Sequence, residues 1–249
     1  MPPKRTTSRR YVGQNVRGTP AMSGKKVRHD LREVRKHSDA YGLQEFKWRW
    51  YWVALDAIMR SVAWGSYPGH HRGLSNPVYG AQGLGWRRRL WRRVNARVRL
   101  LMDSGGLTTK RYLRAVLLQD RKTKIRCWHG STHFQVSGDG PNAKPLPQHR
   151  LHDNIDRLHS FLISLHQTGH PIVFELDANI HHDTGAFKRL QQVVEGFGGT
   201  FHGVLGVEYL FTIPGRHGHV VVEKTFTIPT KRLFTDHEGR GIVYHVVQN

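Results

Sequence analysis

Apolar positions along the chain fall into short runs and alternations more often than into helical stripes, so the pattern predicts a β-rich protein with a few helices between particular strands. Ile172, Val173 and Phe174 form a run bounded by Pro171 and the polar segment after Asn179, which predicts a strand buried on both faces. Asp177 and Asn179 fall where that strand gives way to its loop. Residues two apart on an extended chain point the same way, so a carboxylate and a carboxamide would face one cavity at a strand end, where open α/β sheets keep ligands. The same pair also fits an Asx turn after a core strand.

Leu151, Ile155, Leu158, Leu162 and Leu165 recur at helical spacing and predict a helix that Gly169 and Pro171 terminate. Val27, Leu31 and Val34 predict an amphipathic helix from Ser23, its N-cap, to about His37. Phe187, Leu190, Val193 or Val194, and Phe197 mark a third, stopped by Gly196 and Gly198-Gly199. Strands are expected over residues 11–16, 40–46, 111–120, 124–134, 220–228 and 241–247, with 204–213 apolar around the embedded Glu208. Residues 67–85 are rich in Gly, His and Pro and read as a loop around a short strand at 77–79. This order suits stacked sheets with outer helices better than a regular βαβ barrel.

Charge changes the picture most. Thirty-nine Lys and Arg against 18 Asp and Glu leave +21 over 249 residues, the balance of a protein that meets a polyanion, with nucleic acid the leading partner. The densest positive run, from Trp86 to Arg99, holds Arg87, Arg88, Arg89, Arg92, Arg93, Arg97 and Arg99 with no acid among them. A solvated face is the plain explanation; uncompensated arginines suit bidentate phosphate contact, and a backbone-binding surface is the favoured reading. Trp48, Trp50, Trp52 and Trp64, among Lys47, Arg49 and Arg60, either stack bases or pack a half-buried edge. The lone Cys127 excludes an internal disulfide and is expected in the core. No apolar run reaches the roughly 18 residues of a membrane span. Residues 1–10 are basic with no apolar segment behind them, which is not a secretory signal, and are expected to be a disordered, phosphate-seeking arm ahead of one catalytic domain over 11–249.

Asn15, Glu45, His133, Asp177, Asn179, Glu208, Asp236 and His237 all sit at or near predicted strand ends or their loops. A carboxylate such as Glu45 at the end of a buried strand needs a cation or donor to compensate its desolvation. Six short stretches carry these residues in order: Asn15-Val-Arg-Gly18, Leu43-Gln-Glu45, Ser131-Thr-His133, Leu176-Asp-Ala-Asn179, Val207-Glu-Tyr-Leu210 and Thr235-Asp-His237. In that order the sequence resembles the endonuclease/exonuclease/phosphatase superfamily, the fold of DNase I and the exonuclease III-type repair nucleases. The resemblance spans residues 10–247. Arg17 stands where some repair members have an Asp, Leu176 replaces the usual Gly, and Glu208 replaces the usual Asp.

The resemblance implies an α/β fold, a DNase I-like four-layer sandwich of two packed mixed β-sheets flanked by helices, and metal-assisted hydrolysis of a phosphodiester to a 5′-phosphate and a 3′-hydroxyl. Mg²⁺ or Mn²⁺ would sit on Glu45, helped by Asn15 and Asp236, because hard cations take oxygen ligands. His237 would act as general base with Glu208 fixing its tautomer; Asp177 and Asn179 would position nucleophile and phosphate; His133 would donate to a non-bridging oxygen or the leaving group. Arg17, Arg87, Arg88, Arg89, Arg92 and Arg93 are the expected nucleic-acid contacts. A DNA endonuclease or nickase, DNA ahead of RNA, monomeric, in a bacterial or phage-infected cytoplasm, is the expected activity. The alternatives are a phosphatase or phosphodiesterase of small phosphorylated or phosphoinositide substrates, and an inactive nucleic-acid-binding protein on the same fold.

Overall fold

Side-chain alternation along the strands sets the layering of the molecule. The computed structural model describes residues 3–15, 24–46, 64–67, 81–102, 111–134, 147–205, 207–233, 235 and 237–249. One sheet runs in the order β11 (His219–Ile228), β12 (Gly239–Val247), β1 (Arg9–Asn15), β2 (Ala40–Phe46), β4 (Ala81–Arg87), β3 (Trp64–Tyr67). The other runs β5 (Trp91–Met102), β6 (Arg111–Asp120), β7 (Arg126–His133), β8 (Ile172–Asp177), β10 (Glu208–Ile213), β9 (Thr200–Leu205). Each sheet is mixed: β1 with β2 and β7 with β8 are parallel, and the other pairs are antiparallel. The three helices among the described residues are α1 (Gly24–His37), α2 (Gln148–His166) and α3 (Gly185–Glu195).

On β8 every residue is buried, as its apolar run demands. Ile172, Phe174 and Leu176 share a core with Leu158 and Leu162 of α2 and Leu190 of α3. Val173 points the other way and packs between the sheets with Tyr11, Leu118, Leu210 and Tyr244. Glu175 and Asp177 share that inward side. Each fully buried Leu or Phe contributes about 1.5–3 kcal/mol, so the stripe of α2 that is legible as a repeat is also what fixes it to the sheet. On the opposite face Leu31 and Val34 of α1 are buried and the helix packs on β1 and β2. The result is four layers, helix, sheet, sheet, helices, which is the DNase I-like sandwich.

Three expectations need correction. Residues 3–10 are not a free arm: Arg5 bridges Val247, Thr6 exchanges bonds with Val246 at 2.9 Å, and Arg9 enters β1 with its guanidinium on the buried Asp120. The basic composition hid a buried ion pair and an edge pairing. Residues 81–87 form β4 rather than a loop, because Gly85 is there for close approach: a Cβ on it would lie 2.3 Å from Cζ of Tyr41. The apolar segment 204–213 divides between β9 and β10. The expected strand at 77–79 and Trp48, Trp50 and Trp52 lie outside the described residues; Trp64, on β3, is buried beneath the guanidinium groups of Arg35 and Arg87, the packing alternative for that residue. Among the described residues no helix is long and apolar enough to cross a membrane.

The gap between the sheets holds one acid deep inside. Glu175 accepts from Ser131 Oγ at 2.8 Å and from Gln44 Nε2, and a Cβ on Gly13 would sit 2.0 Å from its Cγ. Burial, supplemented by the nearby Glu208 and Asp177, holds its carboxyl well above the usual carboxylate range against the opposing Ser131 bond. Gly13→Ala is therefore expected to destabilise the fold by about 1–3 kcal/mol in urea unfolding; an unchanged midpoint contradicts this contact. The unfolded chain gives up the Glu175 proton near pH 4.3 and the folded chain keeps it, so its contribution is full below about 4.3 and is lost as pH rises through the raised folded value. Glu175→Gln should remove that loss, so that its stability advantage over wild type grows from pH 4.5 to 8; parallel pH curves would contradict it.

Candidate active site

Strand register gathers the site. Parallel pairing of β7 with β8 sets His133 beside Asp177, and antiparallel pairing of β10 with β8 sets Glu208 beside the same Asp177. In the facing sheet β1 and β2 pair Asn15 with Gln44, so the backbone of Glu45 follows at that same end. Asn15 then crosses the gap: its Nδ2 donates to Asp177 Oδ2 at 2.8 Å.

Asp177 is the hub. Its Oδ1 accepts from the backbone N–H of Asn179 at 3.2 Å, and His133 Nε2 lies 3.7 Å from its Oδ2. Asn179 has φ of 50°, a left-handed conformation that Asn tolerates better than most residues. The strand ends at Asp177, so Asn179 is aimed by this Asx turn and not by strand alternation. Asn179 Nδ2 donates to Phe134 O at 2.6 Å and meets His133 Nε2 at 2.8 Å. With Nδ2 held by these contacts, the carbonyl oxygen is what Asn179 offers the cleft. His133 is buried, its Nε2 facing Asn179 and Asp177.

The loop between β11 and β12 brings the last imidazole. Thr235 N–H donates to Asp30 Oδ2 at 3.2 Å, Thr235 Oγ1 to Asn15 O at 3.0 Å, and Gln14 Nε2 to His237 O at 3.1 Å. His237 Nδ1 thereby sits 2.7 Å from Glu208 Oε1, and Arg240 Nε lies 3.7 Å from Oε2 of the same carboxylate. Burial holds Arg240 below the usual arginine value, with Glu208 opposing.

A metal fits this cluster. Asp177, Glu208 and His237 each offer a ligand atom, all within 4.8 Å of one another, and the buried Oδ1 of Asn15 has no hydrogen-bond partner among the described residues. The unpartnered Asn15 Oδ1 and the carboxylates of Asp177 and Glu208 are the described oxygen donors that a hard cation would take here.

Of the expected residues, the structure brings together Asn15, His133, Asp177, Asn179, Glu208 and His237. Arg17, Asp236 and the side chain of Glu45 lie outside the described residues. The arginine run lies apart. Arg87 is committed to Ser38 O, Arg35 O and Asp39, so its guanidinium is structural. Arg88, Arg89, Arg92 and Arg93 are exposed at the far end of β5, where Arg92 pairs with Gln119 and Arg93 with Leu118. Sequence reasoning missed Gln14, Asp30, Glu175 and Arg240, and quoted Gln44 and Thr235 within motifs without giving them a role. Asp30 left a signal, an acid on the Val27, Leu31, Val34 stripe; Arg240, between two glycines, left none.

No family model and no curated protein sequence matches the chain. Among solved structures it is similar to an endonuclease/exonuclease/phosphatase from Bacteroides vulgatus, with 16% identity over 96% of this chain and 99% of that one, TM-score 0.72. It is also similar to D. rerio TDP2 in complex with a single-strand DNA product, with 12% identity over 96% and 99%, TM-score 0.69. A third is the mannosyl-6-phosphatase Bt3783 of Bacteroides thetaiotaomicron, with 13% identity over 94% and 98%, TM-score 0.67. The chain has the fold of the endonuclease/exonuclease/phosphatase superfamily.

Because Asn15 both anchors Asp177 and presents an unpartnered oxygen, Asn15→Ala is expected to weaken Mn²⁺ binding about 10- to 100-fold in a calorimetric titration. Unchanged affinity would remove Asn15 from the metal site.

Proposed function

We propose that the chain is a divalent-metal-dependent phosphodiesterase acting on nucleic acid, DNA ahead of RNA, as an endonuclease or nickase. The observation that carries this reading is the 2.7 Å contact of His237 Nδ1 with Glu208 Oε1 in the same small cluster as Asp177. A carboxylate on Nδ1 makes that nitrogen the proton bearer, so Nε2 presents its lone pair and takes a proton from an attacking water. Glu208 then stabilises the imidazolium, with Arg240 on its other oxygen.

Asn15 and the Asn179 backbone hold Asp177 in one orientation, and the Asn179 carbonyl oxygen positions the nucleophile. His133 orients Asn179 through its Nε2. A phosphodiester is an anion, and Asp177 with Glu208 would repel it uncompensated. Asn15, Glu45, Asp236 and Asp177 would hold Mg²⁺ or Mn²⁺, which when bound supplies neutralisation of charge on the phosphate oxygens. The charge of +21 and the likeness to a fold that also carries a DNA product in TDP2 support nucleic acid as the polymer. The sugar phosphatase of the same fold supports phosphate-ester chemistry more broadly.

Supercoiled plasmid is expected to become nicked with Mg²⁺ and to stay intact with EDTA. His237→Ala and Asp177→Ala should each slow nicking about a hundredfold or more. Nicking by either variant within about tenfold of wild type overturns the roles; plasmid binding without any nicking leaves only a binding protein, and hydrolysis confined to sugar or inositol phosphates moves the substrate class.

A further inference from the structure

The pole of the sandwich away from the cleft has its own pocket. A cavity of about 280 Å³ opens there between the β6–β7 turn, the residues leading into β8, the β10–β11 turn and the chain after β12. Its polar lining is Lys124, Arg126, His170, His217, Gln119 and Gln248, and contains no carboxylate. His170 lies two residues before β8 and Asp177 ends it, so the strand separates the two sites by about 20 Å at roughly 3.3 Å per residue.

The walls are held by backbone. His217 N–H donates to Gly169 O at 2.8 Å, Gly215 N–H to Gly218 O at 2.8 Å, and the His170 and His217 rings lie 5.1 Å apart. Gly169, with φ of 79°, leaves no room for a side chain: a Cβ would stand 2.5 Å from the His217 ring and 2.6 Å from Arg216 Nε. On the other wall Gln119 Nε2 donates to Lys124 O at 3.1 Å, and Arg121 Nε to Arg88 O at 2.6 Å, which ties the β4–β5 turn to the β6–β7 turn. The cavity is framed by turns pinned to one another, not by loose surface lysines.

Its charge is uncompensated. Lys124, Arg126 and Arg216 are in no ion pair among the described residues. Two buried acids of this pole are already committed, Asp120 to Arg9 and Asp39 to Arg10 and Arg87. Burial first, then His217, Arg126 and Arg216, push His170 down to about 4, the response of an imidazole that faces cations without an anion. Around the mouth Arg88, Arg89, Arg92, Arg121 and Lys122 are exposed. Arginine forks grip phosphate oxygens. Exposed large apolar side chains that would enter a bilayer are confined, among the described residues, to Val94 and Ile163 on separate elements.

We propose that this pole is a second nucleic-acid-binding surface, in which the pocket between Lys124, Arg126, His170 and His217 seats one backbone phosphate and Arg88, Arg89, Arg92 and Arg121 hold its neighbours. It rests on the nucleic-acid reading of the cleft for the identity of the polymer. A segment held here lies too far from Asp177 to be the segment being cut. The surface therefore tethers a distant part of the same polymer and raises its effective concentration at the cleft.

The test measures binding of a fluorescent 40-nucleotide single-stranded DNA in EDTA across 50–200 mM salt. Wild type is compared with Arg126→Gln/His217→Gln, with Arg88→Gln/Arg89→Gln/Arg92→Gln and with Arg126→Lys, which keeps the charge. Each neutralised contact should lower the slope of log affinity against log salt by about 0.7, and affinity should fall about tenfold or more while the lysine variant stays near wild type. Hydrolysis of bis(p-nitrophenyl) phosphate with Mg²⁺, which needs only the cleft, should remain within about twofold in all variants.

Titration of wild type with inorganic phosphate should move the ring resonances of His170 and His217, a readout independent of any variant's folding. Unchanged slope and affinity in the neutralised variants, or no phosphate response at either ring, overturns the second surface. So does loss of binding to phosphatidylserine vesicles with DNA binding intact. If wild type binds DNA through this pole but fails to hydrolyse the small diester, the tether stands and the hydrolase reading falls; if it hydrolyses the diester but binds no DNA at this pole, the tether falls and the hydrolase reading stands.

Discussion

A buried hydrogen bond from Asn15 Nδ2 of β1 to Asp177 Oδ2 of β8, 2.8 Å long, joins the working ends of the two sheets, beside those of Gln44 Nε2 to Thr132 O and His237 Nδ1 to Glu208 Oε1. It is the last of three inward contacts of β1. Tyr11 hydroxyl donates to Gly130 O at 2.8 Å, Gly13 leaves the space that Glu175 fills, and Asn15 reaches Asp177. These positions are two apart, so a slip of β1 by one residue would turn all three away together. Sheet packing and site geometry are thus one constraint. The residues that place His237, namely Gln14, Thr235 and Asp30, hang from the same strand and from the helix packed on it.

Charge is divided between the poles. Acids converge where β7 and β8 end and β10 begins, and the innermost, Glu175, holds its proton because water cannot reach it. Glu208 and Asp177 keep partners that fix their direction, among them His237 and Arg240 for the first and Asn15, Asn179 and His133 for the second. Most of the cations of the arginine run stand at the other pole or are spent on structure, as Arg87 is on Asp39.

Much of this was legible in the sequence. The repeat from Leu151 to Leu165 and the run at Ile172 to Phe174 are dominated by burial, which periodicity reports directly, and the six site motifs fall at strand ends because that is where sheets expose side chains to a cleft. What stayed hidden depends on contacts between distant segments. Gly85 reads as a loop signal until Tyr41 is seen against it. Arg9 reads as a tail charge until Asp120 is found buried beside it. Arg240 and Asp30 act on the site through single partners, Glu208 and Thr235, that no local pattern announces. The direction of β5 is equally non-local: pairing with β6 sends Arg92 and Arg93 away from His133, although composition alone invites them toward the substrate.

The proposed metal seat lies between the sheets, on the side-chain oxygens of Asn15 and Asp177. Anomalous diffraction from crystals soaked in Mn²⁺ tests it most directly. A peak bordered by the Asn15 and Asp177 side chains, with His237 still on Glu208, is the predicted result. A peak elsewhere with that seat empty, or His237 turned from Glu208 onto the ion, would contradict it.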